Sequence, residues 1–291
     1  KFLKLDLINY PETVNVINEF SPDIIYHLAA ESHVDNSIAG PKIFMESNII
    51  GTFNLLEASR KYYLSLSDGR KKNFLFHHIS TDEVFGSLGK KGKFSEKTSY
   101  SPRSPYSASK AASDHLVRAW FHTYDLPIII TNCSNNFGPW QFPEKLLPLT
   151  ILNALQGKNI PLYGDGKNIR DWLYVEDHID ALLITSNKGK IGESYCIGGF
   201  GEMTNYDLVN KVCSHLDQLN PKNVPHKNLI RYVKDRPGHD MRYSIDSKKI
   251  IEEIGWYPKH TFNQALLKTI QWYLSNPEFH LNIKRNQNKK P

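Results

Sequence analysis

The chain has 291 residues, room for one large or two ordinary domains with a sizeable buried core. Apolar residues make up 40% and charged residues 23%, which excludes wholesale disorder, and no stretch approaches the ~18 consecutive apolar residues of a membrane helix. Thirty-six lysines and arginines against 30 acids leave a net charge of +6, and Lys284, Arg285, Lys289 and Lys290 place much of it in an Asn-, Gln- and Lys-rich tail expected to be disordered, which argues against a nucleic-acid face.

The segment Lys1–Asp6 has neither a long apolar stretch nor a small-residue cleavage site, and reads as a strand entered part-way along. From there, short apolar runs alternate with longer helical patterns, as a parallel sheet with crossover helices requires. The runs 23–29, 74–79 and 128–133 read as buried strands. Between them, 43–63 and 106–124 show helical periodicity through Ile49, Phe53 and Leu56, and then Ala111, His115, Val117 and Trp120. His77 and His78 sit in the second strand, where neighbours face opposite ways, so a two-histidine metal clamp is not expected. Cys133, Cys196 and Cys213 form no CxxC pattern, which suggests neither a disulfide framework nor a zinc site and fits a cytoplasmic setting.

After about Pro139 prolines and glycines become frequent and the strands shorter, so residues 1–139 and 140–291 are expected to be two domains, the second smaller and α+β. The strand-like Tyr195-Cys-Ile-Gly198 is expected to bring a segment near 175–198 back to the main sheet. Helices are expected over 204–219, with Thr204 as N-cap, and over 261–274.

Tyr106-Ser-Ala-Ser-Lys110 would place a phenol and an ammonium on one helical face, where a fixed cation favours the phenolate. The same five residues also suit a surface tyrosine beside a solvated lysine. Ser80-Thr-Asp-Glu83 directly follows the strand ending at Ile79, at the end of the sheet where open α/β folds bind ligands. Its adjacent carboxylates can serve as acid and base only if the backbone turns there; otherwise they are two solvated loop acids.

Together, Leu28-Ala-Ala-Glu-Ser-His-Val-Asp35, Ser80-Thr-Asp-Glu-Val-Phe-Gly86, Tyr106-Ser-Ala-Ser-Lys110, Asn132-Cys-Ser-Asn-Asn-Phe-Gly-Pro139 and Arg236-Pro-Gly-His-Asp240 resemble the nucleotide-sugar 4,6-dehydratases, and among them the dTDP-glucose 4,6-dehydratases, of the extended short-chain dehydrogenase/reductase superfamily. The resemblance runs in order from about Asp6 to Trp272. It implies a doubly wound, Rossmann-type parallel sheet that binds NAD, followed by a smaller nucleotide-sugar domain, and a homodimer joined through the two crossover helices.

For the chemistry, it implies that Tyr106, aided by Lys110, takes the proton of the sugar 4-hydroxyl while hydride passes to NAD. Glu83 then removes the C5 proton acidified by the 4-ketone, Asp82 protonates the departing C6 hydroxyl, and Thr81 orients the sugar. Asp6, Leu7, Leu28, Ala29, Ala30, Glu31, Ser32, Ser47 and Asn136 are implied at the dinucleotide, along with Tyr106 and Lys110. Ser32, Thr81, Asn135, Lys145, Leu146, Pro161, Tyr163, Arg170, Asn205, Asp235, Arg236 and His239 are implied at the nucleotide sugar. For the two arginines this suits bidentate binding of a diphosphate.

Phe85 and Phe137 stand where the family commonly has tyrosine. No glycine precedes Gly40 and no glycine-rich turn of the dinucleotide-binding type occurs, so a βαβ unit of roughly fifty residues is expected upstream of Lys1. A non-catalytic nucleotide-sugar-binding chain, and a related nucleotide-sugar dehydratase or 4-epimerase, are the alternative readings.

Overall fold

The computed structural model describes residues 1–279, and the basic tail with Lys284, Arg285, Lys289 and Lys290 lies outside them. Ten strands occur among the described residues: β1 (Ile24–His27), β2 (Leu75–Thr81), β3 (Ile128–Cys133), β4 (Asn135–Phe137), β5 (Ile160–Tyr163), β6 (Ile169–Arg170), β7 (Trp172–Tyr174), β8 (Ser194–Ile197), β9 (Met203–Thr204) and β10 (Ile230–Val233). The chain divides into two units that it visits alternately. The first comprises Lys1–Cys133, Ala181–Ile197 and Ile245–Trp256; the second comprises Ser134–Asp180, Gly198–Ser244 and Tyr257 onward.

In the first unit β1, β2, β3 and β8 form one parallel sheet in that order. All of β3, and every residue of β2 but Thr81, is buried, as a parallel sheet covered on both faces demands. The expected 43–63 helix is really three consecutive pieces: Lys42–Phe44, a π-helical turn at Met45–Ile50, and Gly51–Ser65. That turn shifts the phase of the apolar stripe, so Leu55, Leu56, Ala58 and Tyr62 face the core with Phe76, Val117 and Ile128. Phe53, expected on the buried face, is 40% exposed.

The second crossover helix runs Pro105–Tyr124. Ser104 caps it by accepting from Ser107 N, Ser107 caps back in return, and Pro105 suits the first turn, where no amide proton is needed. Asp125, at φ 54°, ends it in the left-handed conformation. The periodicity misplaced one residue: His115 is exposed, and Asp114 is buried instead.

Residues 1–6 form no strand. The chain turns at Leu7 and Ile8, whose carbonyls both accept from the Asn54 side chain, and Asn9 at once caps the helix Tyr10–Phe20.

The second unit has its own core, in which Leu147, Ile151, Leu208, Val212, Leu266 and Ile270 are buried together. Its strands pair in twos: β4 with β7 and β5 with β10 in parallel, β6 with β9 antiparallel. The helix Asn205–Leu219 starts at Thr204, which accepts from Asp207 N as expected. The helix Phe262–Ser275 is capped reciprocally by Thr261 and Gln264. No helix among the described residues is long and apolar enough to cross a membrane.

Candidate active site

At the carboxyl end of β2 the chain does turn. Asp82–Phe85 forms a single 3-10 turn, so the two acids leave the strand's alternation and follow each other around a corner. Thr81 caps this turn by accepting from Glu83 N at 3.2 Å and gives its proton to Asp82 Oδ1 at 3.3 Å. Gly86 ends it at φ 90°, where a Cβ would lie 2.5 Å from the Ser101 carbonyl oxygen. Asp82 is buried and Glu83 partly exposed.

Tyr106 and Lys110 sit one turn apart on the helix Pro105–Tyr124, both buried. The Lys110 ammonium donates to the Ile79 carbonyl at 2.8 Å, which fixes it to β2 two residues before Thr81. Burial draws its pKa down, while Asp114 and Cys133 oppose the loss of charge. The Tyr106 phenol does not show the lowered pKa expected from its spacing to Lys110. Burial holds it well above 10, Glu83, Cys133 and Asp82 add to the effect, and only a hydrogen bond with Thr81 works the other way. The physical reason is that a phenolate in this dry spot would face two carboxylates.

The segment after β1 is tied to the same helix. Asn48, inside the π-helical turn, donates to the Glu31 carbonyl at 3.0 Å and to Ser109 Oγ at 2.8 Å, and accepts from Glu31 N at 2.8 Å. Ser109 passes its own proton to the Tyr106 carbonyl at 2.7 Å. Glu31 and its neighbours Ala30 and Ser32, together with Ser47 beside Asn48, are thus held near the Tyr106–Lys110 helix. Leu28, Ala29 and Ser32 lie exposed beyond the end of β1. Asp6 caps the Leu7–Ile8 turn by accepting from Ile8 N, and Leu7 lies against Gly51, whose Cβ would sit 3.3 Å from its own.

Sequence reasoning missed Asn48 and a buried polar cluster around Asp114. Asp114 accepts from Tyr100 at 2.7 Å, Ser80 at 2.9 Å and Asn132 at 3.3 Å, and its Oδ1 lies 3.1 Å from His78 Nε2. Asn132 also donates to the Thr81 carbonyl at 3.1 Å. One signal was available: Asp114 continues the four-residue spacing of Tyr106 and Lys110. His77 points the other way, to Thr131 and Ser186. Among the described residues no group of three or more His, Cys, Asp or Glu side chains could hold a metal ion.

In the second unit Tyr163, Arg170, Asp235, Arg236 and His239 come together. Pairing of β5 with β10 sets Tyr163 opposite Val233, and Pro161 opposite Arg231. His239 Nδ1 lies 2.7 Å from Asp235 Oδ1, its ring 6.3 Å from that of Tyr163. Burial and the charges of Arg236 and Arg170 lower the His239 pKa against the pull of Asp235. Arg170 is buried, donates to the Asp240 carbonyl at 2.9 Å and stacks over Tyr243 at 4.3 Å. Asn205 joins them through β6 and β9, its amide bonded to the Asn168 carbonyl. Asn135 and Asn136 lie on β4 against β7, away from these strands' pairing, and Lys145 and Leu146 open the helix Leu146–Leu155.

These features agree with what the chain is similar to. The family model described as GDP-mannose 4,6 dehydratase matches residues 1–269. A dTDP-glucose 4,6-dehydratase of Salmonella typhimurium is 53% identical over 97% of this chain and 81% of the relative. The crystal structure of DesIV, a dTDP-glucose 4,6-dehydratase from Streptomyces venezuelae with NAD and TYD bound, superposes with a TM-score of 0.87 at 40% identity, covering 96% of this chain and 81% of that one. A dTDP-glucose 4,6-dehydratase from Bacillus anthracis in complex with NAD gives 0.82 at 44% identity, covering 95% and 80%. The parallel sheet with helices on both faces is the Rossmann-type α/β fold of these relatives, and the chain belongs to the dTDP-glucose 4,6-dehydratase family.

Proposed function

We propose that this protein is a lyase that converts dTDP-glucose to dTDP-4-keto-6-deoxyglucose. The observation that carries the reading is the 3-10 turn of Asp82 and Glu83 at the end of β2, together with Tyr106 and Lys110, in one unit. An acid and a base set at successive positions of one turn, beside a buried phenol, suit loss of a proton and a hydroxyl from neighbouring carbons.

The first unit is the NAD-binding part. Its residues fit the dinucleotide: Ala29, Ala30 and Ser32 are small side chains beyond the carboxyl end of β1, which lets a ligand approach the backbone, and Asn48 braces that backbone through both amide groups of Glu31. Leu28 to Ser32 would line the cofactor, Asp6 and Leu7 would meet its adenine end, Ser47 would lie alongside, and Tyr106 and Lys110 would serve its nicotinamide end. NAD bound here would supply the hydride acceptor for C4 and the hydride donor for C6, and its cationic nicotinamide would favour the Tyr106 phenolate.

Tyr106 takes the proton of the 4-hydroxyl. Once C4 is a ketone the C5 proton is acidic, and Glu83 removes it while Asp82 gives a proton to the C6 hydroxyl, which leaves as water; as hydride returns to C6, Glu83 gives the proton back to C5. Thr81, hydrogen-bonded to Asp82 and Glu83 N, holds the sugar's 4-hydroxyl region in place. The second unit binds the rest of the nucleotide sugar. Arg170 and Arg236 hold the diphosphate, Tyr163 stacks near the base, and Asn135, Lys145, Leu146, Pro161, Asn205, Asp235 and His239 complete its binding set.

The working form is a cytoplasmic homodimer. Ile43, Ile50 and Phe53 on the first crossover helix and Tyr124 at the end of the second are large apolar side chains left exposed in the single chain, as a shared helical face requires. Sedimentation should give twice the chain mass.

Incubation of the NAD-loaded protein with dTDP-glucose should give the 4-keto-6-deoxy sugar with no net accumulation of NADH. Recovery of a 4-epimer, or of one NADH per sugar, contradicts the reading.

A further inference from the structure

The helix that carries Tyr106 and Lys110 keeps the same four-residue step through Asp114 and Arg118, so a phenol, a cation, an anion and a second cation follow one another along it. Asp114 is fully buried. Every hydrogen bond it accepts comes from a neutral donor: Tyr100, Ser80 and Asn132 by chemistry, and His78 by its tautomer. His78 Nε2 lies 3.1 Å from Asp114 Oδ1, and a carboxylate only accepts, so the ring proton sits on Nε2; among the described residues Nδ1 has no hydrogen-bond partner. Burial and the Lys110 charge keep that ring neutral, with a pKa of about 4.

The charge balance of this cluster therefore rests on Lys110, one turn before Asp114, and Arg118, one turn after. Arg118 is committed elsewhere, with both amino groups on the Tyr100 hydroxyl at 3.1 Å and one on Ser194 at 3.0 Å. Among the described residues Lys110 makes one hydrogen bond, to the Ile79 carbonyl, and that neutral acceptor does not offset the loss of hydration of a buried ammonium. Of the other groups around the pair, Cys133 joins Asp114 in opposing the loss of the Lys110 charge. His27 on β1 is kept neutral by burial, Tyr100 is held in its protonated form, and Cys133 on β3 faces Lys110, while Asp82 and Glu83 face Tyr106. Asp114 itself stays ionised, because the His78 bond, the Lys110 charge and the Tyr100 bond outweigh its burial.

We propose that Asp114 is a positioning residue of the reaction, the fixed anion that keeps the buried Lys110 charged and in place beneath Tyr106. The proposal rests on the roles given above to Tyr106 and Lys110. It gives the cluster a division of labour: Ser80, Asn132, Tyr100 and His78 hold the carboxylate still, and the carboxylate holds the ammonium. Asn132 also ties the Thr81 carbonyl to Asp114, so the anion and the start of the acid–base turn share one donor.

The test is a pH titration of the Lys110 side chain in full-length protein grown on 13C-lysine, its signal identified by its loss in Lys110→Arg. In Asp114→Asn the Lys110 pKa should fall by about one unit or more, a tenfold loss of proton affinity, and Asp114→Glu should restore it. In the NAD-loaded enzyme the alkaline limb of kcat against pH should move down with it, at unchanged KM for dTDP-glucose. A Lys110 pKa that stays put in Asp114→Asn while Tm falls shows a merely structural carboxylate and overturns the proposal. If Asp114→Asn does not fold, the wild type decides: Lys110 still charged at about pH 9 supports the counter-charge, and Lys110 neutral by about pH 8 overturns it. A shifted Lys110 in a protein inactive on dTDP-glucose would support the counter-charge and overturn only the dehydratase reading.

Discussion

Asn48 gives one amide proton to Ser109 Oγ, 2.8 Å away, and Ser109 gives its own to the Tyr106 carbonyl at 2.7 Å. The π-helical turn of the first crossover helix is thereby bonded to the helix that carries the phenol. Asn48→Ala removes one buried and two partly buried hydrogen bonds and strands Glu31 N and its carbonyl, which should cost about 2–4 kcal/mol of stability. Denaturant unfolding checks the cost. NAD retention through gel filtration should fall in parallel, because the same bonds brace residues 28–32.

Two buried histidines make stability fall in mild acid. His78 and His178 each have a folded pKa of about 4 against an ordinary 6.5. For both, burial is the leading cause. The unfolded chain therefore binds protons that the folded one refuses, so each stabilising contribution is complete above pH 6.5 and is lost as pH falls to about 4. Each histidine accounts for up to about 3 kcal/mol across that window. Unfolding free energies measured between these limits should show the slope, and His178→Gln should flatten it by about one proton.

Gly86 closes the acid–base turn at φ 90°, and a Cβ there meets the Ser101 carbonyl oxygen at 2.5 Å. Gly86→Ala should cost about 1–3 kcal/mol and pull the turn away from Ser101, whose amide bonds the Val84 carbonyl. Steady-state kinetics should show a fall in kcat larger than any rise in KM.

The two arginines of the second unit should behave differently. Arg170 is buried against Asp240 and Tyr243, so Arg170→Ala should lower Tm as well as substrate affinity. Arg236 is only partly buried, so Arg236→Ala should raise KM for dTDP-glucose roughly 10–100-fold with little change in Tm, the size expected for loss of a charge-assisted hydrogen bond. Equal effects of the two on Tm would contradict this division.

How far the sequence reaches is set by how local each cause is. The run 128–133 was legible as a strand because all six residues are buried, and Thr204 as a cap because its partner lies three residues away. His115 and Asp114 were exchanged because apolarity ranks histidine as the better core residue. Asp114 is buried on the strength of donors at His78, Ser80, Tyr100 and Asn132, which only the fold assembles. The π-helical turn left no proline or glycine to announce it within Met45–Ile50, and the phase error at Phe53 followed. At the site, the sequence showed which two acids stand side by side at Asp82 and Glu83. It did not show that the chain turns under them, nor that burial would hold Tyr106 protonated one helical turn from Lys110.

The central claim is that Glu83 removes the C5 proton after C4 is oxidised. The direct measurement is deuterium incorporation at C5 of dTDP-glucose in heavy water, catalysed by NAD-loaded Glu83→Gln, with nicotinamide reduction followed in the same sample. The account predicts that reduction of the nicotinamide persists, while C5 exchange and the 4-keto-6-deoxy product fall by about 100-fold or more. Exchange and dehydration at the wild-type rate would contradict it.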